Sequence, residues 1–290
     1  MPFGARLVAV SRIGTGVEMA DSARMILNAK PIGEAGHTPL VVLHGLLGSS
    51  RNWLSAARDL SRHFDVTAMD LRNHGTSDHA PTMTYAEMAA DVAETLDHRK
   101  LRAPVTLCGH SMGGKVAMCF AVDFPERVRA LCVIDIAPKT YPPRHARDLA
   151  AMRELPLADI ESRRDADAWL RERVPEFGHR QFLLTNLVRD DRPGARTFRW
   201  AVNLDALMTS ADDLRATPLG PSETSPLITT FLIGGASDYV NDGDHPTLLH
   251  HFPRTAIEVV PEAGHNLHMD ARERVVEALL ALESGFQNTT

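Results

Sequence analysis

The sequence predicts an α/β protein built on a mostly parallel sheet, and three observations carry that reading. Short continuous apolar runs of strand length recur along the chain and alternate with helix-period segments, the pattern of strands buried on both faces. Candidate site residues follow those runs directly: Leu46, Ser111, Asp135, Asp238 and His265 each come just after an expected strand. In such sheets ligands bind beyond the carboxyl ends of the strands, so the five should meet at one edge. Between residues 141 and 226 the strand signals vanish and arginines alternate with acids, which marks an insertion between two core strands.

Taken in order, residues 25–29 and 40–43 read as strands, 53–62 as a helix and 66–69 as the next strand. The polar loop Asp70-Leu71-Arg72-Asn73-His74-Gly75 that follows is read as mainly structural. Thr84 and Glu87 form a capping box at the start of a helix reaching residue 99, with Met88, Val92 and Leu96 on one face. A strand over 104–108, a tight turn and a helix over 115–122 come next, then a strand over 128–134. The inserted segment is expected to be helical over 144–155, 158–174, 177–188 and 197–207. Strands return at 227–233 and 256–260, and Asp270 with Glu273 caps a closing helix that runs to about Glu283. The division that results is a core over 25–140 and 227–284, a helical lid over 141–226, and an N-terminal extension over 1–24.

The chain has 290 residues, enough for a large single α/β domain with an insertion. Its hydrophobic fraction of 44% and charged fraction of 23% are ordinary for a globular protein, and a net charge of -6 gives no basic face for nucleic acid. No apolar run reaches the eighteen or so residues of a membrane span. Cys108, Cys119 and Cys132 fall inside apolar elements, an odd count without paired spacing, and read as buried thiols of a cytoplasmic protein. The first 17 residues carry Arg6 and Arg12 but lack the apolar centre of a secretory signal. They read as a tail or a late start at Met19 or Met25, with an organelle transit peptide as the other reading.

The chemistry centres on Gly109-His110-Ser111-Met112-Gly113 between a strand and a helix. A serine at the tip of so tight a turn leaves room only for glycine beside it, and the helix that follows aims backbone N–H groups and the positive end of its dipole at the serine. The Met112 N–H, with that of Leu46 in His44-Gly45-Leu46-Leu47-Gly48-Ser49, is a suitable pair of oxyanion donors. A serine hydroxyl needs a base, and His265 is in position for it, after the last strand and last in the chain order Ser, acid, His. His268, three residues on, is read as a supporting residue.

HGLLGS, DLRNHG, GHSMGGK and the late Gly264-His265 resemble the α/β-hydrolase superfamily. More narrowly, Asn73-His74, Lys115, Asp135-Ile136-Ala137-Pro138, Trp200 with Asn203-Leu204, and Ser237-Asp238-Tyr239-Val240 resemble the esterases typified by bacterial YbfF and abhydrolase domain-containing 11. The resemblance implies an eight-stranded sheet, a helical lid, and hydrolysis of small-molecule esters or acyl thioesters without metal or organic cofactor. It leaves two positions for the acid. The G-x-x-D-x-x-V spacing of many relatives puts Ser237 where the aspartate should be and Asp238 one place late, whereas the subgroup offers Asp135, which is favoured. Ser111, His265 and Asp135 would then form and hydrolyse an acyl-enzyme, with His44, Trp200, Leu204 and Tyr239 as substrate-binding residues. Phe177, Leu183, Leu187, Phe198 and Met208 are further apolar residues available to line a pocket for a short to medium acyl chain, or to form the lid's own core. Carbon-carbon bond hydrolysis, cofactor-free perhydrolysis on the same residues, and a low-turnover binder of this fold are the alternatives.

Overall fold

A computed structural model describes residues 24–34, 36–191 and 198–287. The central sheet has seven strands, where eight were expected: β1 (Ala29–Ile32), β2 (Thr38–Leu43), β3 (Phe64–Met69), β4 (Val105–His110), β5 (Val128–Ile134), β8 (Thr229–Gly234) and β9 (Thr255–Val260), with β6 (Leu187–Arg189) and β7 (Phe198–Trp200) forming a separate hairpin. The order across the sheet is β1-β3-β2-β4-β5-β8-β9, and every neighbouring pair is parallel except β1 with β3. The first strand forms four residues later than its apolar residues suggest. The N–H groups of Met25 and Leu27 bond instead to side chains of the second helix, Asp91 Oδ1 at 3.0 Å and Thr95 Oγ1 at 2.8 Å, so that backbone is satisfied without a ladder. Pro31 is tolerated in β1 because the strand lies at the sheet edge.

The helices are α1 (Leu54–Leu60), α2 (Tyr85–His98), α3 (Met112–Asp123), α4 (Ala146–Glu154), α5 (Arg163–Leu170), α6 (Phe177–Leu184), α7 (Leu204–Thr209), α8 (Ala211–Arg215), α9 (His245–His251), α10 (Leu267–Asp270) and α11 (Arg272–Gln287). The strand period of two divides the core between the two faces of the sheet. Val41, Leu43, Leu131 and Val133 pack with Met88 and Val92 of α2 and Val116 and Phe120 of α3. Leu40, Val42, Cys132 and Ile134 pack with Ala56 and Leu60 of α1 and Val275 and Leu279 of α11. The capping box expected at α2 is present in both directions between Thr84 and Glu87.

Elements α4 to α8 lie between β5 and β8, and the segment is not wholly helical. Where a helix was expected over 197–207, Phe198 and Trp200 are buried on either side of an exposed Arg199. That alternation is strand-like, and β7 pairs antiparallel with β6. The helix starts only after Asn203, whose side chain accepts from the Ala206 N–H. Thr197 and the expected N-terminal extension, apart from Arg24, lie outside the described residues. No helix among the described residues is long and apolar enough to cross a membrane.

Candidate active site

Strand β4 runs directly into α3 with only Ser111 between them, at φ 52° and ψ −119°. That backbone is strained for a residue with a Cβ, and the fold holds it: the Ser111 N–H donates to Ile134 O of β5 at 3.0 Å, and Lys115 N–H to Ser111 O at 3.1 Å. Close approach makes glycine obligatory at position 113, where a Cβ would sit 2.6 Å from the His44 carbonyl oxygen.

Asp135 continues from β5 with φ 50°, its N–H bonded to Leu232 O at 2.9 Å. Its carboxylate is fully buried and accepts from three donors. Oδ1 accepts from the Gly234 N–H at 2.9 Å, and Oδ2 accepts from the Ser237 hydroxyl and, at 2.7 Å, from His265 Nδ1. The other imidazole nitrogen, His265 Nε2, lies 3.0 Å from Ser111 Oγ. Carboxylate, imidazole and hydroxyl therefore form one continuous chain of hydrogen bonds.

Asp238 points elsewhere. Its side chain is 77% exposed and pairs with Arg144 at 2.7 Å, and that pairing lowers its pKa. The position expected for a second acid is filled by Ser237, which supports Asp135 with a hydroxyl. The one-residue offset in the sequence pattern was the available sign of this.

His265 is held from two further sides. The His110 ring donates through Nε2 to the His265 carbonyl at 2.8 Å, and the Tyr239 ring stacks on the imidazole at 3.6 Å between centroids and 9° between planes. Burial, with His268 and His265 adjacent, keeps the His110 pKa well below its usual value. Burial likewise lowers His268 to about 4, and its ring stacks on Trp53. His110 was missed in the sequence although it adjoins the serine, because its role depends on a residue 155 positions away.

The loop carrying Leu46 is fixed by two neutral histidines. His44 donates from Nδ1 to Gly45 O at 2.8 Å and accepts from the Leu71 N–H at 3.0 Å, while His74 donates to Arg72 O at 3.0 Å and accepts from the Leu47 N–H at 3.1 Å. Burial lowers both, His74 to about 3, so each ring keeps the acceptor that its bond requires. The loop from Asp70 to Gly75 serves the same framework. The buried Arg72 bonds Asp91 at 2.6 Å and Glu87 at 3.2 Å, and Asp70 accepts from the N–H groups of Ser50 at 2.6 Å and Thr76 at 3.0 Å. Leu46, Ser111 and Met112 line one cleft, and no acceptor among the described residues takes the Leu46 or the Met112 N–H.

The cleft holds ≈ 760 Å³ of non-atom space, part of it open to solvent. Its walls include Tyr85, Lys115 and Ile136 from the core and Tyr141, Leu149, Leu207 and Leu214 from the inserted segment, with Arg144, His145 and Tyr239 also lining it. Of the four expected substrate-binding residues only Tyr239 is on this wall. His44 is committed to the Leu46 loop; Trp200 is buried with its indole N–H donated to Met152 O at 2.9 Å; Leu204 is partly buried and packs against the larger hydrophobic core. Leu183, Leu187 and Phe198 are buried inside the insertion, and Phe177 and Met208 are exposed, so none of the five lines the cleft. The β6–β7 hairpin turns the aromatic residues inward, leaving the walls to α4, α7 and α8.

Fold and site together define a hydrolase-type scaffold, and the chain belongs to the alpha/beta hydrolase fold family, whose model matches residues 38–272. Among curated proteins it is 38% identical over 274 residues to the sn-1-specific diacylglycerol lipase ABHD11 of Mus musculus, covering 91% of this chain and 87% of that one. It is 34% identical over 244 residues to Escherichia coli (strain K12) esterase YbfF, covering 84% and 92%. A solved marine microorganism esterase superposes with a TM-score of 0.84 at 34% identity, covering 89% of this chain and 99% of that one.

Proposed function

We propose that the protein is a serine hydrolase that cleaves carboxylic esters or thioesters through an acyl-enzyme on Ser111. The observation that carries this is the chain of hydrogen bonds from Asp135 through His265 to Ser111, which lines a mostly apolar cleft, with distances of 2.7 and 3.0 Å. His265 Nε2 takes the hydroxyl proton as Ser111 Oγ attacks the acyl carbonyl. Asp135 holds the proton on Nδ1 and so keeps Nε2 basic. The developing oxyanion accepts from the Met112 N–H, at the positive end of α3, and from the Leu46 N–H. The imidazolium then protonates the leaving group, and the same ring activates water to release the acid.

Leu149, Leu207 and Leu214 accord with an apolar acyl group, and residues 141–226 act as the lid over a core formed by 25–140 and 227–284. A cytoplasmic setting accords with three buried cysteines, none of them in a disulfide. The test is labelling with a fluorophosphonate and mapping of the adduct, followed by a panel of p-nitrophenyl and CoA esters. The expected result is an adduct on Ser111, abolished in Ser111→Ala, with turnover of at least one ester. An intact protein that neither labels nor turns over any ester would overturn the reading.

A further inference from the structure

Lys115 is a buried charge that the proposed chemistry does not use. It lies one turn after Ser111 on α3, is 1% exposed, and no carboxylate among the described residues pairs with it. Its three N–H groups are matched by three carbonyl oxygens: Lys139 at 2.9 Å, Ala216 at 2.6 Å and Arg215 at 3.3 Å. The rings of Tyr141 and Tyr85 complete the shell, at 4.8 and 5.4 Å from the nitrogen to their centroids. An ammonium withdrawn from water needs each proton placed and is further stabilised by aromatic faces.

The origin of those carbonyls gives the cage its meaning. Lys139 lies where the chain leaves the core for the inserted segment, and Arg215 and Ala216 lie where it returns. One nitrogen on the helix that begins beside Ser111 therefore joins both crossings. Two more bonds close the seam, from the Tyr141 N–H to Arg215 O at 2.8 Å and from the Thr217 hydroxyl to Pro138 O at 3.0 Å. Leu149, Leu207 and Leu214, the apolar walls contributed by the insertion, hang from these crossings. A short acyl group on Ser111 stays beside Leu46 and Met112, whereas a longer chain must pack against those leucines.

We propose that Lys115 is a specificity-determining residue: by pinning both crossings to the nucleophile helix, it sets the height of the cleft roof and thereby the preference for longer acyl chains. The proposal rests on the esterase reading above.

A titration of the same group supplies an independent handle. Burial, with Lys139 adjacent, lowers the Lys115 amine to about 7. Below that pH the ammonium carries three donors and a charge; above it the neutral amine carries two donors, so the pin weakens as pH rises. The groups around it are Lys139, itself paired with Asp244, Arg215 paired with Asp212, Tyr85 from α2, Tyr141 from the outgoing crossing and Cys119 one turn along α3.

The experiment compares kcat/KM for p-nitrophenyl octanoate with that for the acetate, in the full chain and in Lys115→Met, at about pH 6 and pH 8.5. Ionisation of the common base cancels in the octanoate-to-acetate ratio. In the unmodified chain the ratio should fall as pH rises through 7, and in Lys115→Met it should be lower by roughly tenfold at pH 6, the scale of a few lost methylene contacts, and independent of pH. A Lys115→Met ratio within twofold of the unmodified one at pH 6 overturns the proposal, as does one with the same pH dependence. Should that variant fail to fold, Lys115→Gln is measured in its place, and a ratio within twofold of the unmodified one at pH 6 overturns the proposal equally. Absence of turnover on both esters and of labelling at Ser111 overturns the esterase reading and this proposal with it, whereas turnover with an unmoved ratio overturns this proposal alone.

Discussion

Replacing Asp135 by Asn changes one atom of the carboxylate that bonds His265. The carboxylate accepts three bonds, and Asn has a single acceptor oxygen. If that oxygen keeps the Gly234 N–H, the amide NH₂ faces His265 Nδ1 and can only donate to it. Nδ1 must then become an acceptor, the ring proton moves to Nε2, and the atom 3.0 Å from Ser111 Oγ is a donor that cannot take the hydroxyl proton. Loss of the correct tautomer in a triad of this kind costs about 10⁴ in kcat, or about 5.5 kcal/mol of transition-state stabilisation. Asp238→Asn is the control, because it removes only a surface ion pair with Arg144, worth about 0.5 kcal/mol or a factor of two or so. The assay is steady-state hydrolysis of a p-nitrophenyl ester by both variants, with melting temperatures to confirm folding. If Asp135→Asn keeps more than a tenth of kcat, or Asp238→Asn falls as far, the assignment of the acid is wrong.

Three further outcomes follow from the framework. Asp91→Ala leaves the Arg72 guanidinium buried without its main partner and should cost about 3–5 kcal/mol in denaturant unfolding. Gly113→Ala would drive a Cβ to within 2.6 Å of His44 O and 2.7 Å of Leu43 O, so soluble yield and melting temperature should both drop sharply. At Asp70 burial opposes ionisation, but the Ser50 and Thr76 N–H groups and nearby His44 outweigh it and hold the pKa at about 2, below its usual 3.8. A depressed carboxyl stabilises the fold above the unfolded pKa and loses that contribution as pH falls through the folded one. Asp70 should thus supply about 2 kcal/mol that disappears between pH 4 and 2, and Asp70→Asn should flatten that part of the acid-unfolding curve.

Local signals were enough for much of the architecture. Continuous apolar runs gave β2, β3, β5 and β9 within two residues of their ends, and the Thr84–Glu87 pair gave the start of α2. They failed where distant groups satisfied the backbone. Residues 25–28 look like a strand, yet α2 and Ser77 supply their hydrogen-bond partners. Phe198 and Trp200 look equally apolar in a helix or a strand, and the partner strand that decides the matter is β6.

The site divides in the same way. Order along the chain was sufficient to nominate Ser111, His265, Leu46 and Met112, because each follows a strand and a parallel sheet gathers such positions at one edge, while the family resemblance narrowed the acid to Asp135 or Asp238 and favoured Asp135. Which carboxylate reaches the imidazole was a question of side-chain direction. The folded chain turns Asp135 inward at φ 50° and Asp238 outward toward Arg144. The walls of the cleft, the His110 and Tyr239 supports and the Lys115 cage likewise arise from residues up to 155 positions apart. Periodicity and motif spacing report what a residue does with its neighbours in the chain; contacts across such separations are fixed only when strands, helices and insertion pack together.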